Sequence, residues 1–250
     1  MTWLDPMRRV LDGRAEPLTV FFRDDDAGWA DARLLALVDR FDEVGLPLDL
    51  AVIPAAITMG LALRLRHRAE SDPARFGLHQ HGWAHQNHEP AGRRSEFGPG
   101  RPGEAQRLDI ETGRRRLEHL FGAALSPIFT PPWNRCTRAT GECLVETGIQ
   151  VLSCDVTAPP LDLPALRELP VRIDWQRRRR PELPFPAERG AALAAAASED
   201  GPVGVMLHHA VMDRDDSRQL AELLQLLACH PAVRCRTMTV VAGVPAESAA

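Results

Sequence analysis

Apolar runs of strand length alternate with helix-length amphipathic segments along this chain of 250 residues, and no other feature restricts its fold as strongly. LTVFFR (18–23) precedes ARLLALVDRFDEVG (32–45), PLDLAVIP (47–54) precedes a helical pattern ending near residue 70, and RFGLHQH (75–81) starts the next unit. After AGRRSEFGPGRPG come a helix over about 104–120, the strand SPIFTP, a helix near 137–147 and the apolar stretch GIQVLSCDV. Short strands at about 169–173 and 203–208 follow, with an alanine-rich helix between them and SRQLAELLQLLACH behind the second. Parallel neighbours need a crossover of a dozen or more residues, usually a helix, so this alternation calls for a parallel sheet. The expectation is an α/β fold, a distorted (β/α) barrel of seven or eight parallel strands, forming a single domain over residues 1–250. No GxGxxG follows the first strand, which argues against an open dinucleotide-binding sheet.

Composition excludes several function classes. A formal net charge of -4 offers no general attraction to nucleic acid or anionic membranes, so neither is expected as a partner. The N-terminal segment MTWLDPMRRVLDGRAEP lacks the apolar core of a secretory signal, no downstream stretch could span a bilayer, and a cytoplasmic protein is expected. Five cysteines with no CxxC pair indicate neither a disulfide framework nor a structural zinc knuckle, and buried thiols are expected. All 30 Lys+Arg residues are arginines. Schiff-base lysines, P-loop lysines and lysine-bridged binuclear metal sites are therefore ruled out. The run RRRR at 177–180 reads as a solvated loop or a local anion patch.

In a parallel barrel the reactive groups lie at the carboxyl ends of the strands. One strand here ends in Asp24, Asp25 and Asp26, another in His79, His81 and His85, a third in Pro131, Pro132 and Trp133, and a fourth in His208 and His209. His81 and His85, four apart, suit two imidazole ligands on one side of a turn, and a carboxylate would complete a site with open positions. Such a site suits Zn²⁺ as a Lewis acid holding an activated water, with one aspartate as ligand and a neighbour as base. Each motif alone has a plainer reading: the acids as a helix cap and turn, Pro-Pro-Trp as a rigid turn, His-His as a solvent-facing strand end. Their concurrence at four strand ends favours chemistry.

In order and type these residues resemble the polysaccharide deacetylase superfamily, the nodulation-deacetylase homology domain, over about residues 18–210. RDDDAG is similar to the first motif, Thr-Phe-Asp-Asp-Gly, which implies Asp25 as general base and Asp26 as metal ligand. HGWAH resembles His-Ser/Thr-x-x-His and implies His81 and His85 as ligands. TPPW resembles Arg-x-Pro-Trp/Phe, with Pro132 and Trp133 on the substrate wall, but Thr130 stands where the family has the arginine that orients the base. Arg23 and Arg135 are the two candidates to replace it. RIDW faintly resembles the fourth motif, which places Asp174 beside substrate, and VGVMLHH resembles the fifth, which implies His208 as general acid, with His209 the alternative acid and otherwise a substrate contact.

The resemblance implies a metal-dependent hydrolase that removes acetyl or a similar acyl group from an N-acylated sugar or other non-peptide amide. Zn²⁺ or another divalent cation would be its cofactor and a small molecule or oligosaccharide its substrate. Without a secretory signal, an intracellular glycan, sugar conjugate or lipid-linked precursor is expected rather than a cell-wall polymer. The segments 90–103 and 155–168 are expected to shape the pocket. His79 and His88 are expected near the metal without binding it. Two rivals stand: a barrel that keeps the metal but only binds carbohydrate, favoured by the missing arginine, and a binuclear amidohydrolase using His79 and His81. The second is opposed by the motif's position on about the third strand and by the absence of lysine. An incidental histidine cluster in a barrel is the plainest alternative.

Overall fold

A computed structural model describes residues 2–176 and 184–244. The RRRR run lies outside the described residues. Chain order begins with α1 (Asp5–Asp12), β1 (Leu18–Ala27), α2 (Asp31–Val44), β2 (Leu48–Val52), α3 (Met59–Ser71) and β3 (Phe76–His81). It continues through α4 (Gly103–Phe121), β4 (Leu125–Thr130), α5 (Arg138–Glu146), β5 (Val151–Leu152), β6 (Arg167–Glu168) and β7 (Ile173–Asp174). α6 (Phe185–Ser198), β8 (Val203–Leu207), α7 (Arg214–Cys229), β9 (Val233–Cys235) and α8 (Met238–Ala242) complete it.

Every pairing is parallel, in the order β6-β5-β4-β3-β2-β1-β8-β7. The sheet curls into a distorted (β/α) barrel, and residues 167–175 join its two edges. Their first part bonds to β5, with Leu169 N–H on the Leu152 carbonyl (2.9 Å) and Val171 N–H on the Cys154 carbonyl (2.8 Å). Their second part bonds to β8, with Arg172 N–H on the Gly204 carbonyl (2.9 Å) and Trp175 N–H on the Met206 carbonyl (3.0 Å). One segment thus does the work of a strand in two halves, Arg167–Glu168 and Ile173–Asp174, where the sequence reading expects a single short strand at about 169–173.

Alternation along β1 sorts its side chains. Leu18, Val20 and Phe22 pack outward with residues of the helices, while Phe21 packs inward with Ile128, Val151 and Met206. Arg23 and Asp25 share the inward face, because residues two apart on a strand point the same way. Gly204 makes room for Phe21, whose ring would lie 2.3 Å from a Cβ there. Met238 and Ala242 of α8 close the floor, and the Met238 N–H donates to Asp49 Oδ2 (2.9 Å). That carboxyl is fully buried, and burial pushes its pKa up to about 7.

Three elements escape the periodicity: α1, β9 and α8. α1 buries Met7 and Leu11, carries proline at its start and packs on α6. Among the five thiols Cys143 and Cys154 are buried, Cys136 and Cys235 partly so, and Cys229 is exposed, which corrects the expectation of uniformly buried cysteines. No helix among the described residues is long and apolar enough to cross a membrane.

Candidate metal centre

The ends of β1, β3, β4 and β8 converge on one mouth of the barrel. The β1–β2 ladder slips between Asp24 and Ala27, where three steps on β1 oppose two on β2. Such a bulge bends the strand and re-aims a side chain. Asp26 there takes a left-handed backbone, φ 69°, unusual for a residue other than glycine. The three consecutive acids consequently reach three different partners.

Asp26 faces the histidines. Its Oδ1 lies 3.2 Å from His81 Nε2 and 3.2 Å from His85 Nε2. One ligand atom from each residue can be chosen so that all lie within 4.8 Å of one another. Asp26 Oδ1 and His81 Nε2 are buried without a hydrogen-bond partner, a condition rare in folded proteins unless an ion or water supplies one. Tetrahedral ligands at 2.0–2.1 Å from zinc would stand about 3.3 Å apart, so this donor set fits such a cation. His81 Nδ1 donates to the Thr130 carbonyl (2.9 Å), which fixes the ring and leaves Nε2 as its ligand atom. Burial raises the Asp26 carboxyl, but the facing His81 and His85 outweigh it and bring its pKa down to about 2, so the ligand is anionic at neutral pH.

Asp25 points into the barrel and meets Arg23 in a two-pronged pair, Nε to Oδ1 at 2.8 Å and an Nη to Oδ2 at 2.9 Å. Arg23 also donates to the Ser153 carbonyl (2.9 Å), to Ser153 Oγ (2.8 Å) and to Asn134 Oδ1 (2.7 Å). Burial penalises the Asp25 carboxylate, yet Arg23, His81 and His208 together hold its pKa below the usual range. Of the two candidate replacements for the missing arginine, the structure brings Arg23 to the acid. Arg135 instead donates to the Arg94 carbonyl (2.7 Å).

Asp24 and His209 turn to each other. The His209 N–H donates to Asp24 Oδ1 (3.0 Å), its Nδ1 meets Asp24 Oδ2 at 2.6 Å, and its Nε2 meets the Trp29 carbonyl at 2.7 Å. Burial alone would depress this imidazole, but Asp24 and the Trp29 carbonyl raise its pKa to about 9. Both ring nitrogens are therefore donors, and neither is left for substrate, which corrects the expectation that His209 is a substrate contact. His208 Nε2 stands 4.0 Å from Asp25 Oδ2 with the side chain 27% exposed, within reach of a ligand at the mouth.

Trp133 packs on His85 with ring centroids 4.4 Å apart, and Pro132 beside it is buried. Asp174 takes a different place from the one expected. Its carboxylate accepts the Gln176 N–H (3.1 Å), and it lines a cavity with Arg172 and Arg189 along α6. Among the described residues its hydrogen bond goes to Gln176 and not to the metal residues. His79 is buried with Nε2 on Thr130 Oγ1 (3.0 Å); burial and the nearby Arg23 bring its pKa down to about 3, so it is neutral and lies outside the donor cluster. His88 sits in the following loop, its N–H on the Ser95 carbonyl (2.9 Å).

The motifs miss Glu96. It is fully buried, and its carboxylate accepts the N–H groups of Trp83 (3.2 Å), Ala84 (2.8 Å) and Gln86 (3.4 Å). It thereby clamps the loop that carries His85, whose own backbone is left-handed at φ 54°. A Cβ at Gly82 would strike Glu96 and Pro132, so only glycine lets the two loops close together. A signal existed in a lone acid among the arginines of a glycine-rich segment, but a surface ion pair reads identically.

No protein-family profile matches the chain, and no curated protein does. Its fold does have solved counterparts. A Mycobacterium smegmatis protein assigned to the polysaccharide deacetylases superposes with a TM-score of 0.70 at 18% identity, covering 92% of this chain and 91% of that one. A family 4 acetyl xylan esterase from Clostridium thermocellum, solved with a cobalt ion, gives 0.60 at 16%, covering 91% and 93%. A family 4 pseudoenzyme from Bacillus anthracis gives 0.57 at 9%, covering 91% and 66%. The chain therefore shares the distorted (β/α) barrel fold of these structures.

Proposed function

We propose that this protein is a metal-dependent hydrolase that removes an acetyl or similar acyl group from an N-acylated sugar or other non-peptide amide. The observation that carries the reading is the convergence of Asp26, His81 and His85, with two of their polar atoms buried and unpartnered, beside an acid gripped by arginine. Zn²⁺ or a similar divalent cation held by those three residues would supply a Lewis acid that makes water acidic near neutral pH. Asp25 accepts the proton of the attacking water. Arg23 holds both carboxylate oxygens, so the carboxylate has one orientation and stays ionised. His208, at the mouth and next to Asp25, donates a proton from Nε2 to the departing amine, which cannot leave as an anion at neutral pH. Acid and base are separate residues, His208 just past the end of β8 and Asp25 on the neighbouring β1.

The pseudoenzyme neighbour shows that the fold is shared by proteins without activity, so the rival reading is a barrel that binds metal and carbohydrate without turnover. The Arg23–Asp25 pair favours catalysis, since it supplies what the absent arginine at position 130 would have supplied. The binuclear reading is disfavoured because His79, with Nε2 on Thr130 Oγ1, stands outside the cluster of Asp26, His81 and His85. Elemental analysis of purified protein, followed by hydrolysis of N-acetylated sugars by wild type and Asp25→Asn, tests the proposal. One divalent ion per chain and a rate at least 100-fold lower in the variant are expected. Equal rates in both would overturn it.

A further inference from the structure

Among the described residues Trp29 is the only exposed tryptophan or phenylalanine, at 40%. It is not a loosely attached surface residue. Its carbonyl accepts from His209 Nε2 (2.7 Å), and its N–H donates to the Asp26 carbonyl (3.1 Å). Gly28 and Ala30 on either side have left-handed backbones, φ 119° and 49°, and a Cβ at Gly28 would lie 3.1 Å from the Ile57 nitrogen. The indole is thus fixed from both flanks and presented to solvent at the rim of the metal centre. Its ring meets His85 edge-on at 4.9 Å, and Trp133 meets the same imidazole at 4.4 Å. Beyond Trp133 lies a cavity of about 370 Å³. Two tryptophans therefore flank one metal ligand.

The carboxylates beside Trp29 are already engaged, and the charged residues Glu89, Arg93, Arg135, Asp155 and Glu168 lie in the lining of the cavity beyond Trp133. Asp24 is held by His209, Asp25 by Arg23, and Asp26 faces two histidines. A ligand entering beside Trp29 finds indole faces and the half-exposed His208 rather than a free carboxylate. That surface suits an uncharged ring with one apolar face and polar edges. We propose that Trp29 is a substrate-binding residue whose indole stacks on the C–H face of a neutral pyranose, with Trp133 as the opposing wall. The inference rests on the hydrolase reading only in calling the bound sugar a substrate.

The test uses zinc-loaded full-length protein, with tri-N-acetylchitotriose and acetylated xylotriose as probes for calorimetric binding and for hydrolysis. Wild type, Trp29→Phe, Trp29→Leu and Trp29→Ala are compared, with zinc content measured in each. Leucine and alanine are expected to raise Kd and KM at least 10-fold with kcat within about 3-fold, phenylalanine is expected to stay within about 3-fold of wild type, and all should keep their zinc. Three results would overturn the inference: neither probe bound by wild type, affinity unchanged in Trp29→Leu, or zinc lost in parallel with sugar. The last would make the indole only a support for His85. Trp29-dependent binding without hydrolysis would sink the enzyme reading and leave this one standing. Hydrolysis with KM unmoved would do the reverse.

Discussion

Arg23 and Asp25 form an ion pair with side-chain exposures of 0% and 3%, and a double-mutant cycle on it checks the central assignment. Replacing Arg23 by methionine keeps much of the volume but leaves the Asp25 carboxylate buried without its cation. Breaking one side of a buried pair costs about 3–5 kcal/mol, and the loss of a donor for Asn134 Oδ1 adds about 1 kcal/mol. Arg23→Met should therefore lose about 4–6 kcal/mol, a large part of a typical domain's stability. Asp25→Asn strands the guanidinium less completely, because Ser153 and Asn134 still accept from it, and about 2–3 kcal/mol is expected. The double variant removes both charges and should be at least about 2 kcal/mol more stable than the sum of the singles. Urea unfolding followed by tryptophan fluorescence, in chelator at pH 7.5, measures all four proteins. Where Arg23→Met is too unstable, Arg23→Lys keeps the charge without the two-pronged grip, and should lower kcat about 100-fold with a smaller loss of stability. Single effects that add within about 0.5 kcal/mol would show that the two residues do not act as a pair.

Further expectations follow from buried groups around the site. Asp49 has a folded-state pKa near 7 against 3.8 for the free acid, so the native state binds more protons between those values and stability falls as pH rises through that window. Between pH 5 and pH 9 the wild type should lose about 3 kcal/mol that Asp49→Asn does not, and a flat difference in unfolding free energy across that range would contradict the assignment. Glu96→Gln should loosen the loop bearing His85 and weaken zinc binding about 10- to 100-fold in a chelator competition, whereas unchanged affinity would mean that the clamp is only structural. Zinc at 100 times its Kd should raise the unfolding free energy of wild type by about 2.7 kcal/mol and do nothing for His81→Ala.

The barrel is legible because its outward strand faces and inward helix faces must both be apolar, which imposes the βα rhythm on the text. The ligand pair is legible because a short turn brings His81 and His85 together regardless of what surrounds them. The doublets and triplets are harder, since three acids or two histidines in a row offer one chemistry at several registers. Strand parity carries part of the answer. With Phe21 inside, Arg23 and Asp25 must be inside too, and with Met206 inside, His208 rather than His209 continues that face. What parity cannot supply is the bulge, which depends on how β1 pairs with β2 and leaves no mark in composition. Nor does it reveal Glu96, whose burial depends on the packing of two loops, or residues 167–175, whose pairing switches from one strand to another midway.

Asp24, Asp25 and Asp26 would compete for one role on a regular strand, where alternation puts the first and third on one face and the second on the other. The slip at Asp25–Asp26 and the left-handed Asp26 break that rule. Asp24 goes to the imidazolium that pins Trp29, Asp25 to the arginine, and Asp26 to the ligand histidines. The three neutral variants should therefore fail in three different ways. Asp26→Asn should lose the metal, Asp25→Asn should keep the metal and lose turnover, and Asp24→Asn should keep the metal and retain most of kcat while KM rises as Trp29 loosens. Zinc content together with separate kcat and KM values resolves them. If Asp24→Asn loses metal as Asp26→Asn does, the division of labour set by the bulge is wrong and the ligand lies two residues earlier on β1.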